Sequence, residues 1–577
     1  MTSLKSKSES LPPNPPSTGK RRLGRLALMV LVPAALLILI EVLLRVAGIE
    51  EAAPGIEVTH FTDGRMQVHV PAPSSTVPGH ALFSLEKKAG TLRIAFVGAS
   101  TTRGVPHEEE SSFPAMVVAR LQELFPNQPI EGINLGVPTE PVRVSLGLCQ
   151  LALEADCDLL VVEAGHNESL NNNVPAVDHP LAGLRRYLEN LRLGRLLIRA
   201  ERAFNEISVE ESIRLGLGDI KDEHFIEPAT ARKRREKIEA YFRDDLNAIA
   251  ELAAAVDVPL VLVIPPSSWR NYWPEKAFPP KEKVDVPYPR ELEAMLEALI
   301  LHSQAPGQGD PSGLATKALQ EVDRKIEAYG ELALLLHWRG QILEFLDRYE
   351  EAAQMYAQAF SNDPLPICAT PRTNAIMHEV GASHSLPVAD VQKVFEEHSP
   401  HGIVGLPLVV DHCHPGLRGQ YLMATAVLKA IRASGVMGAD WDWHEELDPS
   451  LARTLQLLRV NPALDRQADS LAGFAALRSI IVSASPRLYA ARALLAFDRA
   501  LKTWPQDATL LVASGLCQLI LGRDDQGEQA IRQGLALNRP LAEGLLEMLL
   551  DSSSRVASVL DEAGLNWNGQ DLIRKDS

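Results

Sequence analysis

Leu92-Arg93-Ile94-Ala95-Phe96-Val97-Gly98-Ala99-Ser100-Thr101-Thr102 reads as a short apolar strand that stops on glycine and runs into three hydroxyl side chains. Similar runs recur downstream. Residues 130–135, 159–163, 259–264 and 386–391 are short, largely aliphatic, and bounded by Gly, Pro or polar residues, as buried strands are. Between them lie amphipathic stretches over 113–125, 142–155, 231–256 and 372–383 with helical spacing. Strand and helix in alternation predict an α/β fold, a doubly wound parallel sheet joined by right-handed crossovers. Ligands of such sheets sit beyond the carboxyl ends of the strands, so chemistry is expected just after each run.

Read there, the rim is polar. After the first run comes Gly98-Ala99-Ser100-Thr101-Thr102; after the second, Asn134-Leu135-Gly136; after the third, Gly165-His166-Asn167-Glu168. Beyond the fifth, Asp411-His412-Cys413-His414-Pro415 precedes a helix starting near Gly416. Attack on an ester carbonyl needs a nucleophile, a base, a group to orient the base, and donors for the oxyanion. Ser100, His414, Asp411 and the pair Gly136 and Asn167 are candidates for those four roles. The plainer alternative makes Ser100 a helix cap and Asn167 a turn residue. Asp411, His412, Cys413 and His414 are also metal-ligand types, but four adjacent loop residues do not converge easily on one ion, so no metal is expected. No cofactor is expected either. Pro265-Pro266-Ser267-Ser268-Trp269 leaves the fourth run on the same rim. Trp269 is a candidate to line an acyl or sugar pocket, with ordinary loop packing as the alternative. His166 and His412 are expected on the rim, His166 as a weak candidate for substrate contact.

These blocks, in this order, resemble the SGNH (GDSL-type) hydrolases, whose motifs centre on a Ser, a Gly, an Asn, and a His preceded three residues earlier by an Asp. The matching positions are Ser100 in Phe96-Val97-Gly98-Ala99-Ser100, Gly136, Asn167, and Asp411 with His414. The resemblance covers about residues 91–305 and 366–435, and it implies a three-layer, flavodoxin-like sheet domain. It implies further that His414 takes the Ser100 proton, that Asp411 fixes the imidazole tautomer, and that the oxyanion is held by the backbone N–H groups of Ser100 and Gly136 and by the Asn167 amide. A glycine at 136 suits a backbone donor unscreened by a Cβ. The chain departs from the family at Ala99, where the family name has Asp, and at Glu168, where Asp is common. Both bear on the loop around Ser100.

The amino terminus has a different character. Residues 26–47 are almost unbroken apolar side chain and, at about 1.5 Å per residue, span roughly 33 Å, the thickness of a bilayer core. Lys5, Lys7, Lys20, Arg21, Arg22 and Arg25 precede this stretch, whereas Glu50 and Glu51 follow it. The positive-inside rule therefore expects a disordered basic cytoplasmic tail over 1–25, a single-pass anchor over 26–47, and the bulk of the chain periplasmic or extracellular. A cleaved signal peptide is the alternative. Glu41 is costly in hydrocarbon, and Arg45 one turn later is its expected partner. Residues 48–90 are expected to be a linker.

Composition sets the remaining bounds. The chain has 577 residues, 46% hydrophobic and 23% charged, with 57 basic against 74 acidic residues and a net charge of −17. Such a length calls for several structural units, and the acidic balance argues against nucleic acid as a partner. The five cysteines, Cys149, Cys157, Cys368, Cys413 and Cys517, are too few for a disulfide-built scaffold. Gly340, Tyr349, Ala352, Tyr356, Ala359 and Pro364 have a spacing similar to a tetratricopeptide repeat, and 306–365 falls between the fourth and fifth strands as an insertion. The stretch 436–577 is helical in period, with a related pattern at Gly515, Gly522 and Ala530, and is expected to form a second tetratricopeptide-like unit. Its alternatives are capping of the fold and docking of a protein partner or a glycan.

Together these readings point to a membrane-anchored, outward-facing serine esterase acting on an acyl ester, an O-acylated glycan or lipid. An O-acyltransferase using the same Ser100 acyl-enzyme is the enzymatic alternative. A catalytically idle scaffold for envelope or polysaccharide assembly is the other.

Overall fold

In the computed structural model the residues described are 56–70, 79–169, 228–271, 289–302, 311–482 and 486–574, apart from isolated positions, with short helical pieces within 31–46 and 186–196. Five strands form the central sheet: β1 (Leu92–Gly98), β2 (Ile130–Gly136), β3 (Leu159–Glu163), β4 (Leu260–Ile264) and β5 (Val388–Asp390). Their order is β2-β1-β3-β4-β5 and every pairing is parallel. The aliphatic runs are continuous because both faces of the sheet are covered. Leu92, Ile94 and Phe96 of β1 face a core shared with Phe113, Met116, Val117, Met423 and Val427. The alternate residues Ala95 and Val97 are equally buried, on the opposite face. β5 is shorter than the aliphatic run 386–391, because the Asp390 carboxylate accepts the Lys393 N–H at 2.9 Å and starts the helix Val391–Glu397.

β1 has β2 on one side and β3 on the other, so its carboxyl end lies at the point where the strand order reverses. That is where a doubly wound sheet opens a crevice. Ser100 begins the short helix Ser100–Arg103 directly there.

Three parts of the chain differ from the sequence reading. Residues 48–90, read as a linker, contain an antiparallel three-stranded sheet of Glu57–His60, Arg65–Val70 and Gly79–Ser84. Met66, Val68 and Val70 alternate inward, a strand pattern in plain view. The sheet domain does not end at 435. Helix Leu451–Leu458 packs on helix Phe113–Leu124, Trp441 and Trp443 meet Phe125 edge-on, and Arg120 Nε donates to Asp448 at 2.8 Å. Finally, the insertion and the carboxyl-terminal helices are one body. Leu334, Leu335, Trp338 and Ile342 share a core with Leu488, Leu494, Phe497 and Leu516.

Within that body the helices pack as antiparallel pairs with glycines at the crossings. A Cβ on Gly340 would stand 2.8 Å from the Tyr356 ring, and one on Gly515 would stand 2.7 Å from the Gly527 carbonyl. A short hairpin, Leu565–Trp567 with Leu572–Arg574, closes the chain.

The 26–47 span lies partly outside the described residues, and among those described no helix is long and apolar enough to cross a membrane. Its described portions are helical, and the Glu41 carboxylate accepts the backbone N–H groups of Arg192 at 3.2 Å and Leu193 at 3.0 Å. Glu41 thus meets the amino end of the helical turn that begins at Arg192, and its expected partner Arg45 lies outside the described residues.

Candidate active site

The Ser100 hydroxyl lies 2.8 Å from His414 Nε2, and His414 Nδ1 lies 2.6 Å from Asp411 Oδ2. A carboxylate can only accept, so Nδ1 carries the proton and Nε2 is left as the acceptor for the serine O–H. The turn 410–414 is built for this. Asp411 Oδ1 accepts the backbone N–H groups of Cys413 and His414, each at 2.8 Å, while the Val410 N–H donates to the His414 carbonyl. Both carboxylate oxygens are engaged.

Electrostatics follow from that geometry. Burial opposes charge on Asp411, but the adjacent His414 and His412 together with its hydrogen bonds hold its carboxyl below the usual carboxylate range. Burial likewise opposes an imidazolium at His414, yet Asp411, and at longer range Glu163, outweigh it and raise the His414 pKa above its ordinary value. Only a neutral imidazole can take a serine proton, so any reaction that used His414 as its base would be lost on protonation. The acid limb of kcat/KM is therefore expected above pH ~6.5, the value for an unperturbed histidine. A pH–rate profile on a short acyl ester checks this; a limb below that value means that His414 is not the titrating base.

Two further side chains hold the Ser100 loop in place. Glu163, at the end of β3 and 1% exposed, accepts the Ala99 N–H at 3.0 Å and the Thr102 hydroxyl at 2.9 Å on one oxygen. Burial raises its pKa. Those two bonds bracket Ser100, and Gly98 gives them room, since a Cβ there would sit 2.2 Å from Thr102 Oγ1. Asn134 donates to the Thr102 carbonyl at 3.0 Å and accepts the Gly136 N–H at 2.9 Å. The sequence reading gave neither residue a role. A carboxylate at the end of an otherwise aliphatic strand was the visible signal for Glu163.

The Gly136 assignment is corrected by the same contacts. Its N–H is bonded to Asn134 and stands in the sheet, so it is not an oxyanion donor here. Glycine is required at 136 for another reason: a Cβ would come 2.4 Å from the Arg103 backbone nitrogen, where the Ser100 helix crosses β2. Asn167 is nearly buried, and its amide donates to the Glu140 carbonyl at 3.0 Å, which orients the group. Thr139 beside it has a φ of 68°, a strained value for a non-glycine residue in a turn at the site. Ser100 N–H, at the first position of its helix, has no intrahelical partner. Glu168 accepts the Val142 N–H at 3.1 Å and so caps a helix.

The remaining candidates fall around this centre. His166 is buried, its Nδ1 accepts the Ala369 N–H at 3.1 Å, and burial holds its pKa down at about 3, so it is a neutral, fixed ring. Trp269 donates to the Ala369 carbonyl at 3.2 Å and packs with Phe360, Cys368 and Cys413. The described contacts of both are thus with neighbouring protein groups. Asp411, His412 and Cys413 bring their ligand atoms within 4.8 Å of one another. Both Asp411 oxygens are already engaged, by His414 and by the Cys413 and His414 N–H groups, and burial raises the Cys413 thiol pKa.

Fold and site define a doubly wound α/β protein with a Ser-His-Asp arrangement at its switch point. No family model matches the chain, and no curated protein matches it. Among solved structures it is similar to an alpha/beta hydrolase enzyme from the metagenome of Lake Arreo, Spain, at 14% identity and a TM-score of 0.26, covering 62% of this chain and 99% of that one. It is also similar to a putative lipolytic protein of the G-D-S-L family from Desulfitobacterium hafniense DCB-2, at 11% identity and a TM-score of 0.24, covering 59% of this chain and 99% of that one. Likenesses of that size decide nothing about chemistry, which rests on the three side chains themselves.

Proposed function

We propose that the chain is an SGNH-type serine esterase that cleaves acyl esters through a Ser100 acyl-enzyme. The observation that carries this is the continuous hydrogen-bonded line from Ser100 through His414 to Asp411, drawn together from positions 314 residues apart. His414 accepts the hydroxyl proton as Oγ attacks the carbonyl carbon, and returns it to the leaving oxygen as the acyl-enzyme forms. A water then attacks the acyl group, giving its proton to His414, and the acid leaves as Ser100 is reprotonated. Ser100 N–H and the Asn167 amide are the proposed oxyanion donors. Asn167→Ala should keep Ser100 reactive toward a serine-directed phosphonate yet lower kcat about 10²- to 10³-fold. Near wild-type turnover in that variant would remove Asn167 from the mechanism.

The proposed setting is the outer side of a membrane, with 26–47 as anchor and an O-acylated glycan or lipid as substrate. Leu31, Leu36, Ile38 and Leu43 are all more than half exposed on the described part of that helix, the surface a bilayer would cover. The helix pairs are read as tetratricopeptide-like, with a protein partner as the proposed ligand of their outer surface. Incubating the full chain with short acyl esters, with and without carbohydrate acceptors, tests the activity. Free acid in both arms is the expected result; acyl sugar in place of acid would make it a transferase, and neither product would end the enzymatic reading.

A further inference from the structure

The loop that leaves β4 is bonded on one side to the helical body and on the other to the catalytic turn. From this we infer that Asn271 is a positioning residue, through which helix Pro486–Thr503 helps hold Asp411 and His414 against Ser100. The inference rests on the triad reading above.

The turn 410–414 has a shape fixed by its own bonds, but these do not place it in the protein. Its placement comes from outside. The Ser268 N–H donates to the His412 carbonyl at 2.7 Å, and the Asn271 amide donates to the Asp411 carbonyl at 3.2 Å. The segment making those bonds is itself gripped by the helical body. His337 is fully buried and its Nε2 lies 3.0 Å from the Trp269 carbonyl and 3.2 Å from the Arg270 carbonyl. Two acceptors require that Nε2 carry the proton. Arg270 is paired with Glu344 at 2.9 Å, and Arg492 Nη2 donates to Asn271 Oδ1 at 3.1 Å.

Asn271 is where the two sides meet in one functional group. Its amide oxygen faces a cation from the helical body, and its amide nitrogen faces the backbone of the catalytic Asp. A carboxamide is the group that offers an acceptor and a donor from the same carbon. A shift of about 1 Å in a catalytic group can cost 10²-fold in rate, so the bond to Asp411 bears on turnover as well as on folding. In this arrangement the helices are a structural part of the active site.

Asn271→Asp separates the two contacts. The carboxylate still accepts from Arg492, as a charge-assisted bond, but places an oxygen where the Asp411 carbonyl needs a donor. With the full chain and a short acyl ester, kcat should fall about 10- to 10²-fold with KM little changed, and the thermal midpoint should not drop. Asn271→Ala should lose a similar factor in kcat and also lower the midpoint. Arg492→Ala should lower kcat more in the wild-type background than in Asn271→Ala, because its 3.1 Å bond is to that side chain whereas its 3.5 Å contact is to the backbone carbonyl, which Asn271→Ala keeps. The downfield NMR resonance of the His414 Nδ1 proton supplies a readout that does not need turnover. It should move in Asn271→Asp. Wild-type kcat in that variant, or an additive Arg492 effect, overturns the inference. If the unmodified protein hydrolyses no ester, the triad reading fails by itself, and an unmoved imidazole proton would then still count against Asn271.

Discussion

Ser100→Ala is expected to lower kcat on a short acyl ester by about 10⁴- to 10⁶-fold, while leaving the fold intact. The substitution removes one oxygen whose side-chain partner is His414 Nε2 at 2.8 Å. Everything that shapes the loop is left in place: the Glu163 bonds to Ala99 and Thr102, the Asn134 bond to the Thr102 carbonyl, and the close crossing over Gly136. The loss of one hydrogen bond costs about 1 kcal/mol of stability, too little to unfold a domain of this size. A serine-directed phosphonate should label position 100 in the unmodified protein and label nothing in the variant. Turnover by Ser100→Ala within about ten-fold of wild type would remove the acyl-enzyme from the mechanism.

The residues of this site were legible to different degrees, for physical reasons. Runs such as Leu92–Gly98 announce themselves because both faces of a covered parallel sheet must be apolar, and the polar residues after them stand out by contrast. Ser100 and Asn167 follow from that contrast, whereas Asp411 and His414 lie well beyond β5, past the helix Val391–Glu397, and are marked by their three-residue spacing. Gly136 also stands out, but its sequence neighbours cannot show whether a glycine donates an N–H or merely makes room. The bond to Asn134 engages the N–H, and the Arg103 backbone, 33 positions earlier in the chain, is what requires the glycine. Arg65–Val70 carries a clean alternation, but the Pro, Ser and Gly residues that follow it are equally those of a linker, and alternation alone does not name the strands it pairs with. The true end of the sheet domain depends on Arg120 and Asp448, 328 residues apart, and the bond between Asn271 and Arg492 spans 221. No local pattern encodes such pairs. Helix pairing was visible in the small residues at 340 and 515, whereas the fusion of two separated segments into one core was not, since apolar faces do not name their partners.

Asp411→Asn is the variant that distinguishes a triad from a structural ion pair. Its amide oxygen can still accept the Cys413 and His414 N–H groups, so the turn keeps its form. The amide nitrogen, however, now meets His414 Nδ1 as a donor. The imidazole answers by moving its proton to Nε2, where it faces Ser100 and can no longer accept from it. Loss of the correct tautomer should cost about 10⁴ in kcat, with the thermal midpoint close to that of the unmodified protein. His412→Ala is the control on the same turn. Its ring stands 4.0 Å from Asp411 and its bond to Ser268 is made by a backbone carbonyl, so activity should remain near wild type. A metal centre built on Asp411, His412 and Cys413 predicts the reverse, with His412→Ala and a chelator each abolishing turnover. Rates that survive the chelator and the loss of His412, but collapse in Asp411→Asn, would leave tautomer control of His414 as the explanation; inhibition by the chelator would exclude it.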